Sequence, residues 1–199
     1  MQKIILTLVT FLCLTVITEA QNNVIKIDTT KSVVKWTGSN LFKYNKHNGT
    51  VRFLSGEIIK SNGTIIGGSF VIDMNSIINT DGKYNEMLVS HLKSKDFFDV
   101  NKHAISKLKI LKFKRTSATD VLVEAELTIK GITNYVDFKS KLNITKGRWG
   151  LTSKFFIDRT LWDVKYESKG LFGGLKDDII SDAIEFEVIL EWSDNDDGC

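Results

Sequence analysis

The stretch TDVLVEAELTIK, from Thr119 to Lys130, sets the period on which the chain is built. Val121, Val123, Ala125, Leu127 and Ile129 are apolar, while Glu124, Glu126, Thr128 and Lys130 stand between them. Successive side chains of a strand point to opposite faces, so this segment has one dry and one wet face. The following segments repeat the alternation with Val136, Phe138, Leu142 and Ile144, then with Trp149, Leu151, Phe155 and Ile157, and near the end with Ile184, Phe186, Val188 and Leu190. Earlier segments agree: Val34 and Trp36; Val51 and Phe53; Ile66, Gly68, Phe70, Ile72 and Met74. Turns at Asn62-Gly63 and Lys146-Gly147, with a weaker signal at Thr119-Asp120, imply hairpins between neighbours in space. The pattern predicts an all-β fold of about eight long strands plus a short first one. Closing such an antiparallel sheet into a barrel removes its edges.

One segment breaks the two-residue period. Tyr84, Met87, Leu88, His91 and Leu92 fall at i, i+3, i+4, i+7 and i+8, so an amphipathic helix with this stripe turned inward is expected after Asp81-Gly82. Inserted between the fourth and fifth strands, it covers an end or flank of the sheet. A second irregular stretch, Arg159 to Ser181, carries Gly170, Gly173 and Gly174 around Leu171, Phe172 and Leu175. That composition suits a lid or mouth loop and equally a loop packed on the barrel.

Of the 199 residues 42% are hydrophobic and 10% aromatic, a content too apolar for intrinsic disorder. There is no proline, so the turns fall to Gly, Asn and Asp and no strand is demoted to an edge on proline's account. Met1 to Ala20 follows a different plan: Lys3, an apolar run from Ile4 to Ile17, then Thr18-Glu19-Ala20. This is the layout of a secretory signal peptide, and the run is short for a membrane span. Residues 1–20 are therefore read as a signal peptide and 21–199 as one exported barrel domain. Cleavage would remove Lys3 and Glu19 and leave the formal charge at +3, too mild and dispersed for a nucleic-acid footprint. Lys107, Lys109, Lys112 and Lys114 form the densest basic stretch, but their parity changes midway, so they are expected on different faces of a solvated strand. Cys13 goes with the leader and leaves Cys199, so no intrachain disulfide is expected and burial alone holds the fold.

Catalytic constellations are sparse. His47, His91 and His103 are far apart in sequence and none has metal-ligand spacing; a zinc site of His47 and His91 with Asp73 or Asp158 is disfavoured. There is no G-x-S-x-G, no phosphate-cradling glycine loop and no cysteine placed as a nucleophile. No catalytic residue, metal or cofactor is assigned. The informative question is what fills the barrel. Eight strands enclose a space that side chains just fill or that holds one small ligand. A twelve-residue strand such as 119–130 is roughly 40 Å long, and a tilt of about 35–45° leaves about 30 Å along the axis. An apolar tunnel of that length would suit an extended hydrocarbon chain. At about 0.8 kcal/mol per methylene, ten carbons give about 8 kcal/mol before ordering costs, which corresponds to about micromolar binding. Alternation by itself fits a filled and a hollow barrel equally.

Six strings occur in order: WTGSN from Trp36 to Asn40, HNGTVRFLSGEI from His47 to Ile58, GGSFVIDMNSI from Gly67 to Ile77, HLKSKDFFDV from His91 to Val100, LTIKGITNYVDF from Leu127 to Phe138, and IDRTLWDVKY from Ile157 to Tyr166. With their spacing, which covers nearly all of the chain beyond the leader, they resemble the YceI-like family of exported, lipocalin-like proteins. The resemblance implies an extended eight-stranded antiparallel barrel, periplasmic or secreted by a bacterium. Its apolar tunnel would carry or store a polyisoprenoid, an isoprenoid quinone or a fatty-chain ligand without chemical turnover, with links to stress response.

On the matched positions the resemblance makes Trp36, Phe53, Phe70, Ile72, Phe155 and Ile157 wall residues, and Leu88, Leu92, Phe97 and Phe98 the closure of one end. His47, His91 and Arg159 are candidate polar contacts to a headgroup, with a structural hydrogen bond or an ion pair to Asp158 or Asp163 as the alternative. Two other functions fit the same residues: an enzyme using His47, His91 or Arg159 on a bound lipid or quinone, and a solid barrel acting as a protein-interaction module. Transient membrane contact and a homodimer are compatible partners; nucleic acid is not. Where relatives carry a proline before the fifth strand this chain has Ala104, so a looser approach to that strand is expected.

Overall fold

The computed structural model describes residues 22–82, 84–145, 147–169 and 179–193. The expected signal peptide, the glycine-rich 170–178 segment and Cys199 lie outside the described residues. Among those described, nine strands follow one another: β1 (Asn22–Lys26), β2 (Val33–Ser39), β3 (Lys46–Ser61), β4 (Thr64–Asn79), β5 (Ile105–Arg115), β6 (Asp120–Ile129), β7 (Ile132–Thr145), β8 (Arg148–Asp158) and β9 (Ala183–Ser193). From β2 to β9 each strand pairs antiparallel with the next, and β9 returns to β2 with Val34 opposite Val188 and Trp36 opposite Phe186. The eight long strands thus close into an up-and-down barrel. The short β1 is additional and pairs with the second half of β3, Asn22 opposite Ser61 and Lys26 opposite Glu57.

The tight turns follow backbone chemistry. Asn62 and Gly63 have φ of 49° and 75°, the left-handed pair whose twist matches a two-residue hairpin. Lys130 and Gly131 do the same between β6 and β7, with φ of 50° and 75°, a turn hidden in the sequence by the strength of the alternation around it. The signal at Thr119-Asp120 marks a strand start, since β6 begins at Asp120. The loop before it is held by Ser117 Oγ, which accepts from the Thr119 and Asp120 amides. At the loop before β2, Asp28 accepts from the Thr30 hydroxyl and amide and faces Lys31 Nζ at 2.9 Å. The Thr30 hydroxyl, then Lys31, hold its carboxyl down at about 2.

The register sorts the connections to two ends. One end, where β2, β4, β6 and β8 finish and β5, β7 and β9 begin, carries the helix α1 (Asn85–Lys93) and a 3-10 turn at Arg159–Trp162. The opposite end carries the hairpin at 62–63, the junction where Thr145 of β7 pairs with Arg148 of β8, and the 116–119 loop. In α1 the inward stripe is narrower than the spacing predicts. Leu92 is buried and Leu88 and His91 are half-buried, but Tyr84 and Met87 are 70% and 69% exposed. Tyr84 precedes the helix in a left-handed conformation (φ 53°), so it is not on the helical face, and only the C-terminal half of this short helix reaches the barrel. The approach to β5 is not loose despite Ala104: the Met74 amide donates to the Ala104 carbonyl at 3.0 Å, and the Lys102 and His103 amides donate to the Asp99 carbonyl.

Four register shifts, three of them single-residue bulges, change which residues face inward. The pairings skip Leu54 in β3, Ile66 in β4 and Leu111 in β5, and these side chains are 61%, 46% and 45% exposed. Each extra residue reverses the alternation beyond it. Ile65 is therefore buried where the pattern predicts Ile66. After Leu111 the parity reverses in the same way, so Lys107, Lys109, Lys112 and Lys114 all point outward after all, Lys112 toward Glu124 at 3.1 Å. The barrel's turn end is solid: Ile58, Lys60 and Ile65 are buried there, Trp149 stacks on Trp192 at 6.1 Å, and Lys60 Nζ lies 4.2 Å from the centre of the Trp149 ring.

Candidate functional site

Above that plug the barrel is hollow. A cavity of about 140 Å³ runs from the level of Val34, Val51, Val123 and Leu190 to the helix end, where Met74, Ile77, Leu92, Phe97, Ile180 and Arg159 line it. A water needs about 10–15 Å³ on this measure, so the space is worth about ten of them, and apolar cavities of about 150 Å³ stay dry and admit apolar guests.

The wall is shaped by glycines opposite aromatic rings. Trp36 in β2 pairs with Gly49 in β3. A Cβ at position 49 would meet the Trp36 ring at 2.6 Å and collide with the Ile78 carbonyl oxygen, so only glycine lets the indole lie against the strand. Gly56 does the same for Phe70, whose Cδ1 a Cβ would meet at 2.6 Å. Phe53 meets Phe70 edge-on at 6.1 Å, Phe138 stacks on Phe155 at 4.2 Å with rings 8° apart, and Phe186 packs on Phe155 at 5.8 Å.

Of the wall residues named from the sequence, Trp36, Phe53, Phe70, Ile72, Phe155, Leu92, Phe97 and Phe98 line the cavity. Ile157 is buried and Leu88 half-buried in the surrounding core, and neither is on the lining. Phe138, Phe186, Leu127 and Val188 line it as well. They stand in the alternating sets, and carrying the parity through every strand nominates them. Ser106 also lines it and has no sequence signal, because a serine on an apolar face is invisible to hydrophobic period.

The three polar candidates separate. Arg159 lines the cavity at the helix end and is 1% exposed. Its Nε donates to the Ser181 carbonyl (3.0 Å), Nη1 to Val164 (2.8 Å) and Nη2 to Ile180 (3.2 Å). Its ion-pair partner is Asp182, 3.3 Å from Nη2, not Asp158 or Asp163. Asp158 instead accepts from the Thr160 amide and hydroxyl, and Asp163 pairs with Lys165 at 2.9 Å. Burial pushes the guanidinium below its usual range, against the pull of Asp182, then Asp158 and Glu167. Three of its five N–H groups donate to carbonyls, so Arg159 ties Val164, Ile180 and Ser181 to the barrel mouth. Its face also lies 5.4 Å from the Phe97 ring centre.

His47 is off the lining. Its Nδ1 is 2.8 Å from Asp81 Oδ2, and Asp81 Oδ1 accepts from Asn79 Nδ2. His91 is also off the lining, packed edge-on against Tyr166 at 4.6 Å and Phe97 at 5.9 Å. Among the described residues no three His, Cys, Asp or Glu side chains converge as metal ligands, and no helix is long and apolar enough to cross a membrane.

A surface hollow next to the helix end is formed by Lys43, Tyr44, Asn45, Lys46, His47 and Tyr84. Tyr44 is 85% exposed there, and Phe42 beside it 43%.

Among solved structures, BcnA of Burkholderia cenocepacia is similar with a TM-score of 0.69 at 17% identity, over 83% of this chain and 98% of its own. A polyisoprenoid-binding domain from Saccharophagus degradans, implicated in plant cell wall breakdown, is similar with a TM-score of 0.62 at 17% identity, over 88% of this chain and 99% of its own. At these identities the likeness establishes the fold. No curated protein matches the sequence. A family model of the YceI-like domain matches residues 25–192, which takes in the eight barrel strands but for Ser193 and the whole lining, and the chain belongs to that family.

Proposed function

We propose that this protein binds and carries a polyisoprenoid or another long-chain amphiphile in the barrel cavity, without chemical turnover. The observation that carries the reading is the cavity: blind at the turn end, walled by aliphatic and aromatic side chains, and bounded by α1, Phe97, Phe98 and Arg159 at the other. Each methylene buried there contributes about 0.8 kcal/mol and asks for no polar partner. A benzene-sized space holds one section of a chain, so a ten-carbon ligand needs the lining rings to turn or its remainder to lie at the helix end. Family membership and the polyisoprenoid-binding domain among the similar structures support this ligand class.

Binding is favoured over turnover by where the titratable groups lie. Of His47, His91 and Arg159 only Arg159 reaches the cavity, and a guanidinium does not release its proton in a protein. An interior with room for a guest also disfavours a solid interaction module. The leader-like first twenty residues agree with export, and a carrier must meet a membrane to load. The exposed Phe42, Tyr44, Tyr84 and Met87 with Lys43 and Lys46, all beside the cavity's helix end, are the face proposed for that contact.

The test is organic extraction of protein purified from its native compartment, followed by mass spectrometry and binding of added isoprenoid alcohols to the emptied protein. A stoichiometric long-chain lipid, or about micromolar binding of the added chains, is expected. An empty protein that binds no chain overturns the reading.

A further inference from the structure

The cavity lining is not uniform along its length. Toward the turn end it is Val34, Val51, Ile110, Val123 and Leu190, and its hydroxyl, Ser153 Oγ, is already bonded to Ser140 Oγ at 2.6 Å. Of the five buried polar atoms with no hydrogen-bond partner among the described residues, three, on His91, Asp182 and Trp192, lie off the lining; toward the helix end it holds the other two, Trp36 Nε1 and Ser106 Oγ. Both residues line the cavity and are 9% and 5% exposed. Trp36 is three residues before the end of β2 and Ser106 is the second residue of β5, so both lie in the helix half of the barrel. Buried N–H and O–H groups are nearly always paired, and an indole N–H can only donate. What is missing is an acceptor, and the described residues supply none.

The lining carries one charge in this half, Arg159, and it is neutralised by Asp182 and committed to three carbonyls. A phosphate would bring a second charge into an apolar chamber whose described lining has no other cation to meet it. A neutral oxygen brings no such cost.

We infer that the ligand is a neutral, oxygen-headed amphiphile (a ketone, amide, ester or alcohol) held with its head inside the barrel at the helix end, against Trp36 Nε1 and Ser106 Oγ, and its tail toward the Trp149–Trp192 plug. This rests on the binding role proposed above and adds the chemistry and direction of the ligand.

The probes are 2-dodecanone, dodecyl phosphate and dodecane, each measured by displacement of a fluorescent chain from the emptied protein. The ketone is expected to bind at least tenfold more tightly than the phosphate. Ser106→Ala and Trp36→Phe are each expected to weaken the ketone about three- to tenfold more than they weaken dodecane on the same variant. Equal losses for ketone and dodecane, or preference for the phosphate, would overturn the inference while leaving chain binding intact. Failure of all three to bind the unaltered protein removes the binding role itself and the inference with it. A measurement that needs no variant is the infrared carbonyl stretch of bound 2-dodecanone. It is expected below its value in hexane, and a hexane-like value sinks the assignment.

Discussion

A hydrogen in place of a side chain at position 49 decides where Trp36 lies. The Cβ of an alanine would strike both the indole and the Ile78 carbonyl oxygen. One obstacle is backbone and the other a rigid ring, so neither yields cheaply, and overpacking of this kind costs about 1–3 kcal/mol or more. Gly49→Ala is therefore expected to lower the urea midpoint by at least that free energy and to shift the tryptophan emission as Trp36 leaves the wall. An unchanged midpoint would place Trp36 elsewhere. This residue pair marks the limit of reading at this scale. Trp36 is legible from sequence because a large apolar side chain stands at the right parity, but the absence that seats it is not, since Gly49 reads as a turn signal or a weak strand residue. Ser106 is hidden for the opposite reason, its polar side chain breaking the apolar face that it belongs to. Arg159 announces itself as a charge next to two aspartates, yet it finds Asp182 and three carbonyls across the mouth, because those neighbours in sequence are spent on Thr160 and Lys165.

At the level of the element, alternation carries most of the architecture and the bulges limit it. Eight strands, their order and their hairpins follow from period two and the turn glycines, because neighbours in sequence are neighbours in the barrel. Leu54, Ile66 and Leu111 escape this logic, since an apolar residue at a bulge looks like core and faces water. Bulges bend a strand and increase its twist, and here they fall on the consecutive strands β3, β4 and β5. At Leu111 the consequence can be tested on adjacent residues. Ile110→Ala is expected to cost about 2–5 kcal/mol, as for a buried large-to-small change, whereas Leu111→Lys is expected to stay within about 0.5 kcal/mol. Urea denaturation of the two variants decides it, and comparable losses at both positions would remove the bulge. The helix is legible in existence and less so in orientation. Its spacing includes Tyr84, but the left-handed backbone at that residue delays the first turn, and so the predicted stripe loses its N-terminal half.

For the molecule as a whole, the asymmetry between its two ends matters more than the barrel itself. The turn end is sealed by Lys60, Trp149 and Trp192, so in the proposed role a guest would pass through the helix end, where Arg159 holds the Val164, Ile180 and Ser181 carbonyls and α1 covers the rim. Aromatic side chains with polar tips suit the membrane interface, and each lysine held near an anionic leaflet contributes about 1 kcal/mol. Tyr44, Tyr84, Lys43 and Lys46 gather both properties around one hollow at that end. Vesicle co-sedimentation follows from this placement. Binding to vesicles rich in anionic lipid is expected to weaken roughly thirtyfold in Lys43→Glu/Lys46→Glu, taking about 2 kcal/mol as lost, and to fall as salt shortens the Debye length. Tyr44→Ser/Tyr84→Ser is expected to weaken binding to neutral and anionic vesicles alike, because it removes interfacial burial and leaves the charge. These exposed positions lie off the cavity lining, so affinity for a soluble chain ligand should not change in either variant. Vesicle binding insensitive to both pairs and to salt would move the loading face away from the helix end, and with it the route by which a ligand reaches the cavity.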